Sequence, residues 1–228
     1  MCDFNRILSE KLIELGVSDF GFADIRGISV PFDEQFPLAI SFVVKLSDAA
    51  IDSIGTEPTA SYFHHYRTVN AFIDATALRI GMLIESMGYR YMPVAASQSI
   101  PSNAEPYSGL VSHKAVARLA GLGSIGKNAL FLSRKYGPRV RLGTVLTNMP
   151  LTTAPPQDNA DICGDCKLCV QACPAMAIKG TVWHEGVCRN DIVDAQACSE
   201  YMKEHFQHIG RGAVCGICIK VCRQGGNT

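Results

Sequence analysis

Cys163-Gly-Asp-Cys166-Lys-Leu-Cys169-Val-Gln-Ala-Cys173-Pro174 carries three cysteines spaced by two residues, a fourth after three more, and a closing proline. Thiolates at this spacing wrap three corners of a cubane iron-sulfur cluster, and the fourth cysteine reaches a second cluster. Downstream, Cys215-Gly-Ile-Cys218-Ile-Lys-Val-Cys222 repeats the later half of the run, with Arg223 where the first run has Pro174. Crossed wiring assigns Cys163, Cys166, Cys169 and Cys222 to one [4Fe-4S] cluster. The other takes Cys173, Cys215, Cys218 and one isolated upstream thiol, for which Cys188 and Cys198 both qualify. A pair of four-thiolate zinc sites is the competing use of the same ligands. Cys2 and the leftover of the Cys188/Cys198 pair are read as unliganded thiols without a function.

Working outward, nine of the ten cysteines lie between Cys163 and Cys222, and Cys2 stands alone before them. That asymmetry divides the chain into an α/β domain over residues 1–150 and a cluster domain over 151–228. The boundary falls at the Pro-rich connection Thr152-Thr153-Ala154-Pro155-Pro156. Dense thiols in a reducing compartment point to metal rather than disulfides. The N-terminus has no basic flank, apolar signal core or twin arginines, and no apolar run nears the ~20 residues that span a bilayer. A soluble, cytoplasmic protein is expected. Hydrophobic residues make up 47%, charged residues 18%, and Lys+Arg and Asp+Glu are 21 each. This excludes disorder for the bulk of the chain. The low charge content is compatible with a homodimer or partner surface. Zero net charge argues against a nucleic-acid partner.

Apolar positions 4, 7, 8, 12 and 15 recur at helical spacing before Gly16 and predict a first helix. Residues 19–25 suit a short strand. Leu38 to Leu46 is a nearly continuous apolar run, the pattern of a strand buried on both faces and central in a sheet. A long helix is predicted from Tyr62 to Met87, with its aromatic residues in the core. A strand follows at 89–95, a helix at 111–120, another helix around Asn128 to Ser133, and a strand at 140–147.

Ala120-Gly-Leu-Gly-Ser-Ile-Gly-Lys127 holds a G-x-G-x-x-G string, but a helix precedes it and no acid follows until Asp158, so it is no dinucleotide fingerprint. Asn128 after Lys127 excludes a phosphate loop. Residues 106–157 contain no Asp or Glu and seven cations: Lys114, Arg118, Lys127, Arg134, Lys135, Arg139 and Arg141. Focused positive potential beside glycines suits an anionic group on a cofactor or substrate. Solvated helix faces are the plainer account of Arg134, Lys135 and Arg139. His64, His65 and His113 are expected on the surface or in hydrogen bonds. No Ser-His-Asp or Cys-His-Asn arrangement can be drawn from the sequence.

Ala120-Gly-Leu-Gly-Ser-Ile-Gly-Lys-Asn-Ala-Leu-Phe-Leu, Tyr136-Gly-Pro-Arg-Val-Arg-Leu-Gly-Thr-Val-Leu-Thr and the eight-cysteine tail resemble the corrinoid-dependent reductases, the superfamily of epoxyqueuosine reductases and reductive dehalogenases. The resemblance runs from about Ala39 to Cys222. It implies a nitroreductase-like, cobalamin-binding α/β domain followed by a small ferredoxin-like domain with two [4Fe-4S] clusters that feed electrons to a base-off cobalt. It implies Cys198, in Cys198-Ser-Glu-Tyr-Met, as the isolated ligand. It also places Gly121, Gly123, Ser124, Gly126, Lys127 and Arg141 against the cofactor.

The chain departs from the family at Tyr107, which stands where epoxyqueuosine reductases carry an Asp proton donor. Reductive dehalogenases use a tyrosine donor, so the resemblance implies Tyr107 as the catalytic residue. Its ordinary pKa of ~10 calls for a nearby cation such as Lys114 or Arg118. A packed loop tyrosine is the competing reading. Without the helical-repeat domain of tRNA-acting members or the secretion signal of respiratory dehalogenases in these 228 residues, neither a tRNA substrate nor a periplasmic dehalogenase is expected. The expected function is reduction of a small substrate by an iron-sulfur, cobalamin-dependent reductase supplied by a ferredoxin or flavodoxin. The alternatives are an electron-transfer protein without cobalamin, and a protein that reduces corrinoids for another enzyme.

Overall fold

A computed structural model describes residues 3–28, 35–100, 106–153, 155 and 161–225. Cys2 and residues 101–105, 154 and 156–160 of the two predicted loops lie outside the described residues. Along the chain run α1 (Phe4–Glu14), β1 (Asp19–Asp24), β2 (Leu38–Lys45), α2 (Asp48–Asp52), α3 (Ala60–Ser86), β3 (Tyr91–Val94), α4 (His113–Leu119), β4 (Gly123–Ile125), β5 (Phe131–Ser133) and β6 (Val140–Thr147). The C-terminal segment adds α5 (Leu168–Ala172), α6 (Arg189–Ile192), α7 (Ala195–Phe206), α8 (Ile217–Lys220) and a 3-10 turn (Arg223–Gly225). Helices and sheet are mixed, as the α/β (α+β) expectation requires.

Two compact units emerge, and they do not follow chain order. The first takes residues 1–45, 69–122 and 141–158; the second takes 46–68, 123–140 and 159–228. Helix α3 therefore contributes its first turns to the second unit and the rest to the first.

The first unit is built on a four-stranded sheet in the order β1-β2-β6-β3. β1 and β2 are antiparallel, with Phe22 opposite Ile40, and β3 and β6 are antiparallel, with Tyr91 opposite Thr147. The apolar run in β2 occupies an interior position, and Ala39 through Val44 are all buried. Two-sided burial explains why that run does not alternate. A Cβ on Gly143 would lie 2.1 Å from the Phe42 ring, so a bare glycine lets Phe42 lie against β6. α1 starts at Asp3, whose carboxylate accepts from Arg6 N at 3.1 Å, and buries Leu8 and Leu12. In α3, Val69, Ile73, Ala77, Ile80 and Ile84 form the buried stripe, while Phe72, expected in the core, is 37% exposed.

In the second unit, β4 and β5 form an antiparallel hairpin with Ser124 opposite Leu132. This corrects the helix expected around Asn128 to Ser133. The turn bonds explain the difference: Asn128 Oδ1 accepts from Leu130 N at 3.1 Å, Gly126 N donates to Leu130 O, and Ala129 has φ 58°. Local side-chain capping of this kind offers the backbone an alternative to helix. Elsewhere in the unit, Gly216 (φ +81°) starts α8 against Tyr62, whose ring a Cβ there would meet at 2.6 Å.

Candidate metal centres

Four short segments carry the C-terminal cysteines. Cys163 and Cys166 lie in a turn closed by Cys166 N donating to Cys163 O at 3.0 Å, Cys169 is on α5, and Cys173 ends that helix. Cys198 is on α7, Cys215 precedes Gly216, Cys218 is on α8, and Cys222 follows it. α5 packs directly against α8. Helices of four or five residues do not hold themselves together in water, so their placement depends on what their side chains meet.

The thiols fall into two neighbourhoods. Burial pushes the Cys222 thiol up, and the neighbouring thiols that add to this are Cys163, Cys169 and Cys166. Burial likewise raises Cys169, with Cys163 and Cys166 beside it. In the second neighbourhood, burial pushes Cys198 up to about 11, helped by Cys173 and Cys215. Cys218 is raised further, by burial first and then by Cys215, Cys198 and Cys173. Cys169 also reaches Cys218, so the two groups adjoin. Cys198 is thus the thiol from the upstream stretch that stands beside Cys173, Cys215 and Cys218. Cys188 is exposed at the start of α6 and does not figure in the surroundings of Cys169, Cys198, Cys215, Cys218 or Cys222.

Cys163, Cys166, Cys169 and Cys222 together line a cavity of about 600 Å³, with Asn128 on its wall. Among the described residues, no three His, Cys, Asp or Glu side chains converge closely enough to grip one metal ion. A cubane spans its ligands across its own width, so four thiols around a cavity fit its donor set. The Cys173 sulfur already accepts from Ala177 N at 3.4 Å, the kind of N–H···S contact that tunes such a site.

The glycine-loop residues have other tasks. Gly121 (φ +76°) closes α4. A Cβ on Gly123 would stand 2.1 Å from Leu132 O, and one on Gly126 would stand 2.6 Å from Leu132 Cδ1, so both glycines are needed by their own hairpin. Ser124 is half-buried in β4. Lys127, 7% exposed, donates from Nζ to the carbonyl of Gly164. Arg141 donates from Nε to Asn70 Oδ1 at 2.9 Å and from Nη2 to Ala96 O at 3.2 Å.

Arg139 is also committed. Its side chain is 6% exposed and bridges Asp48 at 3.1 Å and Asp52 at 2.9 Å. Asp52 in turn meets Lys220 at 3.2 Å. The guanidinium of Arg139, then Lys220, holds the Asp52 carboxyl below its ordinary range. For Arg139 this corrects both readings from sequence: it is neither a solvated face residue nor a spare cation for an anionic ligand. Its partners lie 87 and 91 positions earlier, beyond any local pattern.

His113 lies between Thr144 Oγ1 at 2.8 Å and the Ala95 carbonyl at 3.0 Å. The carbonyl can only accept, so Nε2 carries the proton and Nδ1 accepts from Thr144. Burial drives its pKa down and keeps the ring neutral. His65 Nε2 accepts from Ser47 N at 2.9 Å and is also lowered by burial. Tyr107 is 38% exposed and has φ 60°, left-handed backbone that a bulky side chain rarely adopts.

Known proteins resemble the chain in both sequence and fold. Residues 162–225 match the family described as a 4Fe-4S double cluster binding domain. An epoxyqueuosine reductase of Listeria monocytogenes is 28% identical over 192 residues, covering 81% of this chain and 46% of that protein. A reductive dehalogenase, whose structure is described as suggesting a mechanism for B12-dependent dehalogenation, has the same fold at 18% identity. Its TM-score is 0.74, with 96% of this chain and 31% of that chain covered. An epoxyqueuosine reductase solved with a tRNA stem loop gives a TM-score of 0.59 at 19% identity, covering 97% of this chain and 65% of that one.

Residues 162–225 are therefore similar to a double-cluster iron-sulfur domain. The chain is similar to an epoxyqueuosine reductase and shares its fold with a reductive dehalogenase, and it spans about half the length of the Listeria relative. A protein of like fold binds a tRNA stem loop in that complex, which removes the ground for the expectation against a nucleic-acid partner. Among the described residues no helix is long and apolar enough to cross a membrane.

Proposed function

We propose that this chain is a cytoplasmic iron-sulfur oxidoreductase in which Cys163, Cys166, Cys169 and Cys222 hold one [4Fe-4S] cluster and Cys173, Cys198, Cys215 and Cys218 hold the other. The observation that carries this reading is the gathering of eight thiols into two adjoining groups of four. Bound clusters supply one-electron transfer at potentials set by hydrogen bonding and burial. The chain's own part is to present deprotonated thiolates, hold them with short helices, and exclude water around Cys218 and Cys169. The functional division runs from an α/β part up to residue 150 to a cluster part from 151. The electron donor is a ferredoxin or flavodoxin, and the working form is a homodimer.

A corrinoid in the α/β part, reducing a small substrate, is supported by the B12-dependent dehalogenase of like fold. The residues first offered for it fit only in part, since Gly123, Gly126, Lys127 and Arg141 have partners within the chain. That observation favours a second reading, an electron-transfer protein without cobalamin. In the enzyme reading Tyr107 donates a proton to bound substrate, a role supported by its exposed position and left-handed backbone.

The test is anaerobic purification, an iron count near the roughly eight per chain that two clusters require, and titration of cob(II)alamin followed by electron paramagnetic resonance. A bound, base-off cobalt signal supports the corrinoid enzyme. A free-cobalamin spectrum beside intact clusters supports the electron carrier. Where a substrate is turned over, Tyr107→Phe lowers the rate about 100-fold; full turnover removes Tyr107 from the mechanism.

A further inference from the structure

Lys127 and Asn128 sit in the β4-β5 turn and are 7% and 6% exposed. Lysine is almost never so buried without a partner. The partner here is the carbonyl of Gly164, in the two-residue span between Cys163 and Cys166. Asp161 Oδ1 accepts from the N–H groups of Cys163 at 3.0 Å and Gly164 at 3.2 Å. One ligand loop is thus held through its donors by a carboxylate and through an acceptor by an ammonium.

Asn128 contributes differently. Its Oδ1 faces the hairpin, accepting from Leu130 N at 3.1 Å and lying 2.9 Å from where a Gly126 Cβ would stand. The same residue lines the cavity with Cys163, Cys166, Cys169 and Cys222. With the oxygen turned to the hairpin, the amide NH₂ is the end left for the cavity.

We propose that Lys127 and Asn128 are positioning residues of the Cys163/Cys166/Cys169/Cys222 site that raise the reduction potential of its cluster, one by buried charge and one by the amide N–H end it presents to the cavity. This rests on reading those thiolates as cluster ligands. Reduction adds one electron, supplied by dithionite in the test below, and the proposal requires no proton transfer. The added negative charge is stabilised by a cation in a poorly solvated site. Asp165, Lys167 and Arg223 also border the cavity, but they are exposed and water screens them. Hydrogen bonds to sulfur and net charge are established determinants of cluster potential.

The experiment is a dithionite titration of the purified full chain, read by electron paramagnetic resonance, with iron counted in each sample. Lys127→Gln is expected to lower the reduced-to-oxidised ratio of one cluster about tenfold at fixed potential, about 59 mV for one electron, and to leave the other unmoved. Lys127→Arg restores the wild-type midpoint, and Asn128→Ala shifts the same cluster downward by less. Full iron content with unmoved midpoints in both Lys127→Gln and Asn128→Ala overturns the proposal, as does an equal shift of both clusters. If Lys127→Gln fails to assemble, Asn128→Ala decides alone: a lowered midpoint supports and an unmoved one overturns. Wild-type protein that binds no clusters defeats the underlying reading instead, and the iron count separates the two failures.

Discussion

The sheet unit and the cluster unit achieve order by different means. In the first, β2 is buried from Ala39 to Val44 and α3 lays Ile73, Ile80 and Ile84 into the same core, so apolar burial suffices. In the second, three of the helices between Leu168 and Lys220 have four or five residues, and thiols stand where a core would place aliphatic side chains. A thiol such as Cys218, half-buried and pushed well up in pKa, is a small hydrophobe until metal takes its proton. Hydrophobic patterning thus specifies one unit, and ligand spacing with metal binding specifies the other.

The largest expected effect breaks the second unit alone. Cys218→Ser is predicted to lose about half of the iron, one cluster of two, and to remove the second unit's cooperative unfolding transition while the sheet unit keeps its own. Cys188→Ser, at an exposed position, leaves iron and both transitions unchanged. Equal iron loss in the two variants would erase the distinction drawn between these cysteines.

Next in size, Phe42→Ala attacks the apolar unit. Removing a fully buried ring costs about 4 kcal/mol, read as a lowered denaturant midpoint, with iron content preserved. A smaller loss is expected inside the second unit from Arg139→Met. It removes charge-assisted bonds to Asp48 and Asp52 and costs about 2 kcal/mol. That the aspartates are part-exposed keeps the loss below what a fully buried pair would show.

The gentlest lever is pH. Burial lowers the folded pKa of His113, to which Arg141 adds and Asp74 opposes, and burial also lowers that of His65. The unfolded chain, with histidines near 6.5, therefore binds more protons as pH falls below that value. Stability is full above about pH 6.5 and declines toward acid by at most about 1.4 kcal/mol per pH unit for each histidine. Unfolding midpoints between pH 5.5 and 7.5 should show this slope for the sheet unit through His113 and for the second unit through His65, and His113→Gln should flatten the first. A slope unchanged in that variant would assign the acid sensitivity elsewhere.

Much of the fold was legible locally. The period of α1, the length of α3 and the unbroken apolar run of β2 each carry a signal within one window, because each buries its own stripe or faces. Residues 128–133 suggest a helix in sequence because Leu130, Phe131 and Leu132 suit a helix as well as a strand. What decided the matter was a turn bond from Leu130 N to Asn128 and the fit of Gly123 and Gly126 against Leu132. The four- and five-residue helices gave no periodic signal, being shorter than a reliable period.

Sequence alone pointed to the ligand chemistry and to seven of the eight thiols, since thiolate spacing around a cubane is a short-range constraint. It left open which of Cys188 and Cys198 stands near Cys173 and Cys215, a choice for which resemblance favoured Cys198. It could not show that Lys127 reaches Gly164, or that Arg139 is spent on Asp48 and Asp52. These pairings join residues from 37 to 91 positions apart. A buried charge takes whatever partner the folded chain brings within reach, so only the tertiary structure could decide them.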